Sequence, residues 1–101
     1  MKKHNINIHE SAEIDLIEIV NDKDEQMQGL GLKYYNKIRE RIFSLENFPE
    51  RYPCFLDNSD LRVTYVFNYA IFYSTDKDEN MVNIIRVLPA KFGDEKMNKL
   101  L

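Results

Sequence analysis

Apolar positions along this chain change their period halfway. Ile6 and Ile8 alternate with Asn5, Asn7 and His9, which predicts a short first strand over 5–9. Ile14, Leu16, Ile17, Ile19 and Val20 then fill one broad stripe, with Asp15 and Glu18 outside it. That pattern predicts a helix capped by Ser11 and ending near Asp22, with Glu10 and Glu13 at its positive end. After the polar break NDKDEQ, the residues Met27, Leu30, Tyr34, Tyr35, Ile38, Ile42 and Leu45 recur at threes and fours. They predict a second helix over 25–47, ended by Pro49 because proline disfavours helix at the residue before it. Gly29 and Gly31 cost helical stability near its start and suggest close helix contact or a ragged beginning.

PERYPCFLDNSD reads as a loop, and beyond it the period becomes two. Leu61, Val63, Tyr65 and Phe67 share one face, with Arg62, Thr64 and Val66 on the other. A tight turn at Phe67-Asn68-Tyr69 leads into a strand over 69–74, and DKDEN forms the next hairpin loop. The last strand, 81–88, carries Val82, Ile84, Arg86 and Leu88 on one face, and Pro89 stops it. The order strand, helix, helix, strand, strand, strand predicts an α+β fold. After an N-terminal strand, a helical hairpin would pack on one face of a mainly antiparallel sheet, leaving the other face open at least in part. At 101 residues this is one domain, 1–101.

Composition narrows the chemistry. Cys54 is the single cysteine, so no internal disulfide forms and no cysteine-based metal spacing exists. His4 and His9 read as edge-strand residues, no phosphate-cradling glycine motif occurs, and no strand-to-helix elbow presents a nucleophile. No cofactor and no metal are expected. No apolar run is long enough for a membrane span, and MKKHNINIHE has no apolar segment before its first acid. The expectation is a cytoplasmic protein without a membrane partner.

The formal net charge is -3, and acids crowd one segment: Glu10, Glu13, Asp15, Glu18, Asp22, Asp24 and Glu25 against Lys23 alone. Lys33, Lys37, Arg39, Arg41 and Arg51 follow, interleaved with Glu40, Glu46 and Glu50, which reads as a solvated face with helical charge pairs. That balance disfavours strong non-specific nucleic-acid binding, which draws on phosphate neutralisation. Two arginines and two tyrosines of the sheet remain, Arg62, Arg86, Tyr69 and Tyr73. Either the guanidiniums bond carboxylates or carbonyls at the sheet margin, or they form an anion- or protein-recognition patch. Tyr34 and Phe43, at the flanks of the second helical stripe, are core edge or partner groove. The tail KFGDEKMNKLL adds Phe92 and Met97 as apolar candidates.

In order, SAEIDLIEI, SLENFPERYP, LRVTYVFNYAIFYS and MVNIIRVL resemble the RelE/ParE superfamily of bacterial toxins from type II toxin-antitoxin, plasmid-stabilisation-type modules. The likeness covers roughly residues 4–92 and rests on Ala12 and Leu16, the helix exit at 45–49, Arg62, the strand from Tyr69 to Tyr73, and Arg86-Val87-Leu88. It implies a helical hairpin against an antiparallel sheet and a cognate antitoxin as partner. RelE-type members cleave mRNA in the ribosomal A site with basic residues and an acid/base group; ParE-type members poison DNA gyrase. Where RelE-like sequences carry an arginine in the middle strand this chain has Ala70, and where they carry strand lysines it has Leu61 and Val63. Leu88, Pro89 and Ala90 stand where the acid/base group would fall.

LR ahead of YAIFY and the ending IIRVL are similar to the ParE branch, although Pro89 replaces the histidine and basic stretch that commonly follow. The resemblance therefore implies a protein-binding toxin directed at gyrase, with no catalytic residues. Its target-binding candidates are Arg62, Tyr69, Tyr73, Arg86 and Lys91, and its antitoxin-binding candidates are Tyr34, Phe43, Phe92 and Met97. The alternatives are a ribosome-dependent mRNA endoribonuclease using Arg62, Tyr73, Arg86 and Lys91, and an antitoxin-binding module without toxicity.

Overall fold

The computed structural model describes residues 3–55, 58–91, 97 and 99. Its elements are β1 (Asn5–Ile8), α1 (Glu10–Gln26), α2 (Leu30–Ser44), a 3-10 turn (Pro49–Arg51), β2 (Cys54–Phe55), β3 (Asn58–Val66), β4 (Tyr69–Asp76) and β5 (Met81–Pro89). The sheet runs β1-β5-β4-β3-β2, with β1 parallel to β5 and the other neighbours antiparallel. Both helices lie on one face, over a core that includes Ala12, Leu16, Ile38, Ile42, Ile71, Tyr73 and Ile84. This is the expected α+β architecture. The short β2 lies inside the stretch expected to be loop.

Several boundaries are set by tertiary bonds rather than by local signals. The His9 backbone N–H donates to Ile84 at 2.9 Å, and its carbonyl accepts from Glu13 at 3.0 Å. Strand pairing thus runs directly into helix, so His9 and not Ser11 occupies the cap position, without a side-chain cap bond. The polar break continues α1 to Gln26, and the turn falls at Gly29, whose φ of 90° places it in the left-handed region. Asp24 explains why: its Oδ1 accepts from the backbone N–H of Gly29 at 3.2 Å and of Gly31 at 2.9 Å. An acid at the end of one helix therefore caps the start of the next.

At its other end α2 stops at Ser44, ahead of Pro49. Leu45, Glu46 and Asn47 donate to Ile42, Phe43 and Ser44 at 3.1, 3.2 and 3.3 Å, a tightening of the last turn to three-residue spacing.

The first helical stripe differs most from expectation. Ala12, Asp15, Leu16 and Ile19 are the buried residues of α1, whereas Ile14 is 49% and Ile17 60% exposed. Asp15 is 5% exposed. Its carboxylate takes Arg86 Nε at 2.8 Å, Arg86 Nη2 at 2.9 Å and the Val87 backbone N–H at 2.9 Å. A buried carboxylate needs such donors, and charge-assisted bidentate bonds are the strong ones.

A bulge in β5 presents those donors. Phe72 faces Arg86 and Tyr73 faces Ile84, so Ile85 has no partner on β4. The extra residue reverses the side-chain alternation. Val82, Ile84 and Val87 join the core under the helices, while Leu88 joins the cluster on the second face, away from the face expected for it.

That second face is closed at its centre. Phe55, Leu61, Val63, Ala70, Phe72, Leu88 and Met97 form a buried cluster, with Phe55 and Phe72 edge to face at 5.1 Å. Tyr65 stays 49% exposed at its margin. Phe67, expected on the same face, adopts φ 53° in the turn and stacks on Tyr34 of α2 at 4.5 Å.

The two helices meet closely at Gly31, where an added Cβ would lie 2.5 Å from the Val20 carbonyl oxygen. Backbone cannot yield as a side chain can, so Gly31→Ala is expected to lower stability by about 2 kcal/mol in urea unfolding. Asp15→Ala is expected to cost about 3 kcal/mol in the same measurement, because it strands the Val87 N–H and the partly buried Arg86.

Candidate functional site

The four sheet candidates sit on the helix-facing side of the sheet, in three separate environments. Arg62 of β3 and Tyr73 of β4 are cross-strand neighbours. Arg62 Nη1 donates to the carbonyls of Tyr52 at 2.6 Å and Glu50 at 3.0 Å. The Tyr73 hydroxyl, on a side chain with no exposure, donates to the Pro49 carbonyl. Together they fasten the 3-10 turn that follows α2 to the middle of the sheet. Burial pushes the Tyr73 phenol far above its ordinary range, against the lowering influence of Arg62. It is held as a neutral donor.

Arg86 lies one strand further on and ends on Asp15. Hydrogen bonding to Asp15 raises its proton affinity, burial opposes this, and Glu18 adds to the rise. Its side chain retains 25% exposure. It borders two clefts along α1. One, of about 220 Å³, is lined by Glu18, Asp22, Tyr69, Leu88 and Pro89 among others. The other, of about 330 Å³, is lined by Ser11, Ile14 and Glu18 with the ion pair. Acids therefore surround the guanidinium on its open sides, an arrangement unsuited to receiving an anion.

Tyr69 is 5% exposed and part of an aromatic group at the start of α2. Tyr34 meets it edge-on at 6.1 Å, and Lys23 Nζ lies 4.8 Å from the Tyr34 ring centre and 5.6 Å from that of Tyr69. Lys91 follows β5 and is exposed. Of the remaining candidates, Phe43 is 37% exposed beneath the Arg39 guanidinium, 5.0 Å from its ring centre. Tyr34 is half-buried against Phe67, Met97 is buried in the second-face cluster, and Phe92 lies outside the described residues. The structure therefore brings Arg62 to Tyr73 and Tyr34 to Tyr69, but it does not gather Arg62, Arg86 and the tyrosines into one patch.

Sequence reasoning passed over Asp15, Asp24 and Arg41. Arg41 Nη1 donates to the buried Thr64 hydroxyl at 2.8 Å and to the Tyr65 carbonyl at 3.0 Å, closing the β3 margin against α2. A signal for Asp15 existed: with Ala12, Leu16 and Ile19 it completes an i, i+3, i+4, i+7 set, which places an acid in the inward stripe. Among the described residues no group of histidine, cysteine and acidic side chains could hold a metal ion. Nor is any helix among them long and apolar enough to cross a membrane.

The sequence model of the family described as the ParE toxin of the type II toxin-antitoxin system parDE matches residues 6–92. No curated protein matches. Among solved structures, the chromosomal ParDE toxin-antitoxin system from P. aeruginosa aligns with TM-score 0.74 at 13% identity, over 86% of this chain and 96% of that one. The RelBE2 toxin-antitoxin complex from Mycobacterium tuberculosis aligns with TM-score 0.68 at 20% identity, over 89% and 95% of the two chains. The isolated E. coli RelE toxin aligns with TM-score 0.64 at 14% identity, over 97% and 99%. These likenesses confirm the RelE/ParE fold, and the family match over most of the chain adds the branch: this protein belongs to the ParE toxins of type II toxin-antitoxin systems.

Proposed function

We propose that this toxin inhibits growth by binding a protein target, DNA gyrase, rather than by cleaving RNA, and that a cognate antitoxin neutralises it. The observation that carries the reading is the state of the side chains a nuclease would need. Phosphodiester cleavage by 2′-hydroxyl attack requires proton transfer and stabilisation of a charged phosphorane. Arg62 is tied to the Glu50 and Tyr52 carbonyls, Tyr73 to Pro49, and Arg86 to Asp15. Each is engaged inside the fold, and Leu88, Pro89 and Ala90 follow where an acid/base group would be needed. The match to the ParE family supports the same reading.

Antitoxin binding is supported by the neighbouring structures, which include toxin-antitoxin complexes. Phe43, the most exposed of the antitoxin candidates on α2, is the anchor to vary there, since aromatic anchors dominate such interfaces. The chain acts in the cytoplasm under this reading, where gyrase is found.

Tight induction in bacteria with pulse-labelling of DNA and protein synthesis tests the target. DNA synthesis is expected to fall first, and the purified chain to inhibit gyrase supercoiling. An earlier fall in protein synthesis would place the ribosome and its mRNA as the target instead.

Tyr73 gives an independent check. Tyr73→Phe is expected to keep growth inhibition and to lose about 1 kcal/mol of stability at neutral pH, the worth of a buried hydrogen bond. The unfolded phenol ionises near pH 10 while the folded one resists, so this contribution holds below pH 10 and declines as pH rises above it. In urea titrations the stability gap between wild type and variant should therefore narrow above pH 10. A gap independent of pH would show that the hydroxyl ionises equally in both states.

A further inference from the structure

The exposed face of α1 carries an apolar strip among exposed acids. Ile14 and Ile17, at 49% and 60% exposure, stand one turn apart on the side away from the sheet. Helical spacing puts Glu10 and Glu18 one turn either side of Ile14, and Glu13 one turn before Ile17; all three acids are exposed. The ion pairs among the described residues join Lys3 to Glu46, Lys37 to Glu40 and Arg86 to Asp15. None reaches Glu10, Glu13 or Glu18. Lys23, the single base of α1, is turned instead over Tyr34 and Tyr69.

Beside the strip lies an apolar groove of about 290 Å³, lined by Ile8, Leu16, Ile17 and Tyr35 and rimmed by Glu13 and Arg39. Two neighbouring isoleucines on a helix exterior, next to an apolar groove, form a surface suited to another helix.

Charge selects the occupant. Two copies of this chain meeting by two-fold symmetry would set Glu13 and Glu18 of one against acids of the other, which disfavours self-association. We infer that the antitoxin segment covering α1 is a basic amphipathic helix, with lysine or arginine on both sides of an apolar stripe that seats on Ile14 and Ile17. The inference rests on the antitoxin-neutralised reading above and names the chemistry of the segment. The acids of α1 discriminate against noncognate acidic segments, since like charges across an interface are costly.

Two synthetic helical peptides with one leucine stripe test it, one flanked by lysines and the other by glutamates, titrated against the full chain at low salt. The lysine peptide is expected to bind about tenfold tighter, from a few rim ion pairs, and to lose that advantage as salt rises. Ile17→Ser should weaken it at least fivefold, and Glu13→Lys with Glu18→Lys should reverse the preference while leaving the fold unchanged by circular dichroism. Equal or tighter binding of the glutamate peptide, or insensitivity to Ile17→Ser, overturns the inference. So does a dimer of the chain alone, seen by sedimentation and abolished by Ile17→Ser, since the face would then belong to a second copy. The titration needs only the folded chain, so its outcome is independent of whether induction arrests DNA synthesis.

Discussion

One carboxylate organises this fold. Asp15 is 5% exposed and accepts three hydrogen bonds from two consecutive residues of β5. A regular strand cannot offer both a guanidinium and the next backbone N–H to one point, because alternate residues face opposite ways. The bulge at Ile85 solves this by breaking the alternation, and its consequence spreads. Val87 turns under the helices and Leu88 turns away, so the outer half of β5 contributes to both cores. The same carboxylate fixes where α1 lies. From there the close approach at Gly31 and the cap supplied by Asp24 set α2, and Arg41 ties α2 to β3. Burying a charge is costly unless it is paired, and here the pairing carries the registry of helix on sheet.

The arginines of the sheet follow the same logic. Arg62 and Arg86 each meet oxygen acceptors within the fold, Arg62 on two carbonyls and Arg86 on a carboxylate. A guanidinium presents a fixed fork of donors, which suits it to gathering a loop or a helix end onto a strand. That use draws on donors of both side chains, and the tyrosine between them is committed as a donor.

The strands were legible because period two survives in short segments, and the order of elements followed from them. What escaped has physical causes. Five apolar residues over 14–20 cover more than half the helical circumference, so hydrophobicity could not say which part turns inward; Asp15 decided it, through a partner 71 residues away. The β5 bulge has no glycine or proline to announce it. β2 is two residues long, too short for any period. The ends of α1 were set by a strand bond at His9 and by the Gly29 turn, and neither is a local capping signal. Arg62, Tyr73 and Arg86 were visible as candidates, but the acceptors that occupy them, two carbonyls of a loop among them, were not.

The misread stripe has a further consequence. Because Asp15 takes the inward position, Ile14 and Ile17 are forced outward, and the acids that flank them come to the surface together. A net charge of -3 conceals this arrangement. α1 holds seven acids against one lysine, whereas Lys33, Lys37, Arg39 and Arg41 gather on α2 with only Glu40 between them. The two helices of the hairpin thus carry opposite fields side by side, and fields of this kind orient a charged partner before any contact forms. Under the inference of a basic antitoxin segment, a partner approaching this hairpin is selected first by its sign and only then by the apolar side chains it can seat. The buried ion pair beneath α1 and the exposed acids above it are therefore two results of one placement: the inward turn of Asp15 builds the core and exposes the face at the same time.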